Sequence, residues 1–108
     1  MRKILLVALC VMLQGCASTV QSAKLYDGKA KFEAGNFKLA FRQLLPLAAD
    51  GNPCAEYAVG YMYYYGYGVT MDTESGIFWM QKSAAQHYVP AEKALELISK
   101  TEKIPKTY

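Results

Sequence analysis

Few residues in this chain have side chains suited to covalent or metal chemistry. His87 is the one histidine, and Cys10, Cys16 and Cys54 are the three cysteines, in 108 residues. A metal site gathers three or four His, Cys, Asp or Glu ligands at recognisable spacings, and no such cluster occurs here. Glu56, Asp72 and Glu74 are read as acids at helix starts, where they complement the helix dipole. The reading is therefore no catalytic residue, no metal, no cofactor, and not an enzyme. What the chain does concentrate is phenol. "YMYYYGYGV", Tyr61 to Val69, holds five tyrosines and two glycines in nine residues. Such a stretch could stack nucleobases, pair as a strand, or fill the inside of something small. Stacking on nucleic acid would want interleaved basic residues, and Tyr57 to Met71 contains none. No nucleic-acid partner is expected.

The elements that would position these rings begin after an amino-terminal leader. Met1-Arg2-Lys3 is basic, and Ile4 to Leu13 is an uncharged, mostly apolar run about half the ~20 residues that a membrane span needs. That pattern reads as a secretory signal peptide over residues 1–15. "LQGC", Leu13 to Cys16, resembles the lipobox of bacterial lipoproteins, with Gln14 where a small residue is usual. The resemblance implies cleavage before Cys16, acylation (palmitate among the chains) of that cysteine, and a membrane anchor. Ala17 rather than Asp after the cysteine resembles the pattern of outer-membrane sorting. The expected location is the bacterial cell envelope, lipid-anchored at the outer membrane and facing the periplasm. Residues 16–23 are read as a lipidated tether.

Cleavage also changes the charge. Losing Arg2 and Lys3 takes the formal net charge from +3 to +1, and no charge run remains to attract a polyanion. With Cys10 removed and Cys16 acylated, Cys54 has no partner in its own chain, so no internal disulfide forms. A small buried hydrophobe is its expected role, with an intermolecular bridge as the alternative.

Beyond the tether the pattern is helical. Lys24 to Ala34 carries a weak apolar stripe of Leu25, Gly28 and Phe32. "GNFKLAFRQLLPLAADGN" places Phe37, Ala40, Phe41, Leu44, Leu45 and Ala48 on one helix face, bounded by Gly35-Asn36 and Gly51-Asn52. Pro46 should remove one hydrogen bond and bend the last turn. Asn52 as cap and Pro53 at the first position open a third helix, which runs through Ala55, Val59, Met62 and Tyr63 to a stop at Gly66. Asp72 caps a fourth helix, Thr73 to about Gln86, and Pro90 opens a fifth, "PAEKALELISK". Glycines three residues apart argue against a long strand at the tyrosines.

An internal repeat organises these helices. Ala55 aligns with Ala91 and Val59 with Leu95, 36 residues apart, the period of stacked helix hairpins. Residues 55 to 91 resemble a Sel1-like repeat, a longer relative of the tetratricopeptide repeat. The residues that carry the resemblance are Ala55, Gly60, Tyr63, Gly66, Gly68, Val69, Asp72, Trp79, Lys82, Ala84, Ala85, Pro90 and Ala91. Gly76 stands where the family prefers alanine, which costs up to ~1 kcal/mol of helix propensity. His87 stands where it favours glycine, so that turn should be strained or reshaped. The resemblance implies an all-α fold, a short right-handed α/α solenoid of antiparallel hairpins with about five helices. It divides the chain into a tetratricopeptide-like hairpin over 24–52, a Sel1-like repeat over 53–89, and a C-terminal capping helix and tail over 90–108. In such a repeat Gly60, Ala84 and Ala85 would allow close helix approach. Trp79 and Tyr63 would fill the wedge between hairpins, and Gly66-Tyr67-Gly68 would shape the loop rather than cradle phosphate.

Tyr57, Tyr61 and Tyr64 remain, a stripe at i, i+4 and i+7 on one side of the third helix. In solenoids the first helix of each hairpin lines the concave surface, so the stripe could be a protein-binding groove, a role that rigid amphipathic tyrosines suit. The alternative is that these rings cover the first hairpin or the C-terminal helix. The functional expectation is a lipid-anchored module that binds a protein or peptide. A structural or accessory subunit of an envelope assembly, docked end-on or as a homo-oligomer, is the second reading.

Overall fold

The computed structural model describes residues 22–102. The stretch read as a signal peptide, Cys16 and the residues after 102 lie outside them. Among the described residues five helices follow one another with short connections: α1 (22–33), α2 (Phe37–Ala49), α3 (Pro53–Tyr65), α4 (Thr73–Ala84) and α5 (Val89–Glu102). Residues 22 and 23 are already helical, inside the stretch read as tether.

The helix ends follow from their capping residues. Asn52 Oδ1 accepts from the Ala55 N–H at 3.1 Å, Pro53 occupies the first helical position, and α3 stops at Gly66, whose φ of 75° is left-handed. At the start of α4, Asp72 Oδ1 accepts from the Ser75 N–H while the Ser75 hydroxyl donates back to Oδ2 at 2.7 Å. Those two bonds, the hydroxyl's above all, hold the Asp72 carboxyl below its ordinary range. Pro46 sits inside α2, but the helix runs past it to Ala49 and Asp50 N–H still reaches the Pro46 carbonyl at 3.0 Å. Pro46 is exposed, so water can serve the carbonyl that the ring leaves unpaired.

The turn after α4 departs from expectation in one respect. α4 ends at Ala84, earlier than Gln86, and His87 takes φ 62° to close the turn, with Gln86 N–H bonded to Ser83 and His87 N–H to Ala84. A left-handed residue with a side chain is strained by about 1–2 kcal/mol. The strain expected at His87 is therefore present.

Two apolar clusters hold the stack together. The first joins Ala40, Leu44, Leu47 and Ala48 of α2 to Ala55, Val59 and Met62 of α3, with Leu25 and Phe32 of α1 against it. The second joins Met80 and Ala84 of α4 to Ala91, Leu95 and Ile98 of α5. All four residues aligned in the repeat, Ala55, Val59, Ala91 and Leu95, are buried. Trp79 and Tyr63 pack against the first cluster, and Tyr63 meets Phe41 edge-on at 5.2 Å.

The closest approach between α3 and α4 has a different basis from the one expected. Gly60 faces Gly76: a Cβ on Gly60 would stand 2.7 Å from the Gly76 carbonyl oxygen, and one on Gly76 would stand 2.8 Å from that of Gly60. Ala84 instead packs toward α5, and Ala85 is an exposed cap. The glycine that looked like a propensity loss at position 76 is what permits the crossing. In the loop between α3 and α4, Gly68 has φ 73° and lies so near the backbone of Phe37 that a Cβ would fall 2.5 Å from its carbonyl. That contact ties the loop to the start of α2.

Candidate protein-binding groove

The odd-numbered helices α1, α3 and α5 share one side of the stack, and α3 presents its tyrosines there. Tyr57, Tyr61 and Tyr64 are all half-buried. Their inner faces rest against the second apolar cluster, as the covering alternative required. Their outer edges line an open groove with two lobes. One lobe, of ≈ 320 Å³, lies between α1 and α3, with Phe32, Cys54, Tyr57, Tyr61 and Tyr88 on its walls. The other, of ≈ 360 Å³, lies between α3 and α5, with Tyr57, Tyr61, Tyr64, Tyr65 and Leu97. Tyr57 and Tyr61 are common to both lobes. The stripe thus combines both roles: part core, part wall.

Ring contacts fix these side chains. Tyr57 lies 6.3 Å from Tyr61 and 5.8 Å from Tyr88, Tyr61 lies 4.7 Å from Tyr65, and Phe32 meets Tyr61 edge-on at 6.0 Å. Pairs at these distances contribute about 0.5–1.5 kcal/mol each beyond their burial. Burial, with the neighbouring phenols adding to it, pushes Tyr57 and Tyr61 above the ordinary tyrosine range. Both therefore remain protonated donors at neutral pH.

Several groove residues were not evident in the sequence. Tyr65 and Leu97 are 54% and 64% exposed, large apolar side chains left at the surface where the groove opens. Leu97 is one position off the buried stripe of α5, and an exposed leucine has no sequence signature of its own. Tyr88 enters from the turn before α5. Its hydroxyl donates to Cys54 Sγ at 3.4 Å, and this bond, aided by burial, pushes Tyr88 up to about 12. Cys54 is thus half-buried at a groove wall as a hydrogen-bond acceptor, rather than the buried hydrophobe expected, and it forms no disulfide among the described residues.

A polar cluster sets the angle of the hairpin that carries the groove. Glu56 is 1% exposed, and Gln86 Nε2 donates both to its carboxylate at 2.5 Å and to the Gly51 carbonyl at 2.9 Å. Lys82 Nζ approaches the other oxygen of Glu56 at 3.7 Å while lying 4.6 Å from the Trp79 ring centre. The Ser83 hydroxyl donates to the Pro53 carbonyl at 2.6 Å. Glu56 is at a helix start, as read, but it is also the buried pin between α3 and α4.

Among the described residues no three His, Cys, Asp or Glu side chains stand together as a metal site would require, and no helix is long and apolar enough to cross a membrane.

Sequentially stacked antiparallel hairpins with a groove on the side of their first helices define a short α/α solenoid. Within that class the chain matches the crystal structure of a Sel1 repeat protein from Oxalobacter formigenes. The TM-score is 0.71 and the identity 26%, over 82% of this chain and 38% of that one. The chain thus spans well under half the length of that protein. No protein-family model matches the chain, and comparison with curated proteins gives no match.

Proposed function

We propose that this chain is a lipid-anchored interaction module of the bacterial cell envelope that binds a protein or peptide in the tyrosine groove. The observation that carries the proposal is the groove itself: two adjoining apolar lobes walled by three helices, with Tyr65 and Leu97 exposed at its edge. Solvent-exposed apolar side chains clustered in a concavity mark interaction sites, and tyrosine supplies area at low entropic cost. The Sel1-repeat fold supports an interaction scaffold over an enzyme. "LQGC" supports acylation at Cys16; several acyl chains at about 0.8 kcal/mol per buried methylene hold a protein at a membrane where one does not. That anchor would keep the groove at the envelope, at the outer membrane facing the periplasm.

End-on docking as an accessory subunit is less favoured. The face of α5 away from the core carries exposed Glu96 and Lys100, paired at 2.9 Å, which is the polar surface of a terminal cap.

The test replaces Tyr57, Tyr61 and Tyr64 together by alanine and compares cross-linked partners in the native cell with those of the wild type. A control variant, Phe78→Ala, changes an exposed ring on α4 that lines neither lobe. Partners lost from the triple variant but kept by the control, with helicity unchanged, support the groove. Identical partner sets in all three proteins reject it. Intact-mass measurement of the purified protein reports the lipid on Cys16 directly.

A further inference from the structure

Charge is divided unevenly along the stack. Residues 22–50, which hold the α1–α2 hairpin, carry five basic and three acidic side chains, whereas residues 51–101 carry three and five. Ion pairing sharpens the contrast. Lys31 is bound to Asp27 at 2.7 Å, Lys82 is shared between Glu56 and the Trp79 ring, and Lys100 is bound to Glu96. Lys24, Lys29, Lys38 and Arg42 are exposed and have no acidic partner among the described residues. Lys93 is the one other lysine or arginine of which this is true among those residues, so the unpaired positive charge is gathered in the first hairpin. Glu33 and Asp50 are the hairpin's acids outside an ion pair. The same hairpin exposes two large apolar side chains, Tyr26 at 78% and Leu39 at 48%.

Long-stemmed cations beside tyrosine and leucine suit a lipid surface. Ammonium and guanidinium groups reach anionic headgroups while the stems, the ring and the leucine sit at the edge of the hydrocarbon. The tether decides which charged surface lies within reach. Five residues, 17–21, separate Cys16 from the start of α1, and a chain of that length spans at most about 20 Å. A lipid on Cys16 therefore keeps α1 close to the headgroups in every orientation of the stack. Each cation near an anionic surface favours contact roughly fivefold. Four of them hold a free protein only weakly, but for a tethered one docking is intramolecular and the same attraction suffices.

We propose that the α1–α2 hairpin rests on anionic lipid headgroups through Lys24, Lys29, Lys38 and Arg42, with Tyr26 and Leu39 at the hydrocarbon boundary. The proposal rests on the lipid-anchored reading given above. It orients the groove: the lobe between α1 and α3 lies nearer the membrane than the lobe between α3 and α5.

The experiment places the full acylated chain, at equal density, in vesicles of phosphatidylcholine alone and of phosphatidylcholine with phosphatidylglycerol. An uncharged amine-acetylating reagent labels accessible lysines, and mass spectrometry of the digest gives a rate for each one. Lys24, Lys29 and Lys38 should react at least about threefold more slowly on the anionic vesicles, a difference that high salt removes. Lys93 and Lys100 should react alike on both. Lys38→Gln with Arg42→Gln leaves Lys24 and Lys29 as reporters and should return their rates most of the way to the neutral-vesicle values. Equal rates on the two vesicles, equal slowing at Lys93 and Lys100, or no effect of the double variant overturns the proposal and leaves the anchor standing. Slowing that is already present on neutral vesicles and grows with protein density means that a second copy covers the hairpin, and overturns it as well. Flotation with neutral vesicles reports the anchor by itself. A chain that does not float with them, and whose intact mass shows no acyl chain, overturns the anchor and this proposal together.

Discussion

Replacing Gly76 by alanine sets two calculable effects against each other. Helix propensity alone says the change should stabilise α4 by about 1 kcal/mol, since glycine in a helix interior is that much worse than alanine. The fold says otherwise. A Cβ at position 76 would stand 2.8 Å from the Gly60 carbonyl oxygen and 2.8 Å from the Tyr64 backbone nitrogen. Ordinary contact begins near 3.4 Å, so α3 and α4 would have to separate by roughly 0.6 Å, and both obstructing atoms are backbone that cannot rotate away. Overpacking costs about 1–3 kcal/mol. The upper end applies because separation also loosens Met62 and Met80, both fully buried in the adjoining clusters. Setting about 3 against about 1 leaves a net loss of about 2 kcal/mol, or a fall in Tm of about 8–16 °C for a domain of this size. Urea and thermal unfolding followed by far-UV circular dichroism measure it. Gly60→Ala should behave alike, and the double variant should lose less than the two single losses combined, because one separation relieves both clashes. An unchanged or raised midpoint for Gly76→Ala would refute the close crossing.

Three further outcomes follow from particular contacts. His87→Gly should raise stability by about 1 kcal/mol in the same assay by relieving the left-handed backbone, whereas His87→Ala should leave it nearly unchanged. Lys82→Met should cost about 1–2 kcal/mol, below the value for a fully buried pair because Lys82 is 41% exposed and 3.7 Å away, and adding Glu56→Gln should recover part of the loss. Tyr88 should be among the last phenols to ionise in a tyrosinate absorbance titration, near pH 12. Its raised value means that its contribution to stability is complete below about pH 10 and is lost as pH rises toward 12. Tyr88→Phe should remove that step, and Cys54→Ala should move it to lower pH.

The helices and most of their limits, though not the start of α1 or the end of α4, were legible because they depend on neighbours in sequence. Asn52-Pro53 and Asp72 announce helix starts by satisfying nearby N–H groups, and Gly66 announces a stop by adopting a backbone that other residues resist. The 36-residue spacing of Ala55 and Ala91 likewise reveals the stacking, since each hairpin must offer small residues where the next one nests. The tyrosine stripe was visible as a stripe, because i, i+4 and i+7 share a helix side whatever surrounds them. Its surroundings were not. Phe32, Tyr88 and Leu97 join it from three other segments, and only the superposition of α1 and α5 beside α3 turns a row of rings into two lobes. The same holds for Gly76, a local weakness that becomes a requirement once Gly60 lies across from it, and for Glu56, a dipole partner that becomes a buried pin once Lys82 arrives from α4 and Gln86 from the turn after it. Sequence fixes what each turn of chain prefers by itself. Contacts between distant turns have energies of the same size and can reverse those preferences, which is why they had to be seen in three dimensions.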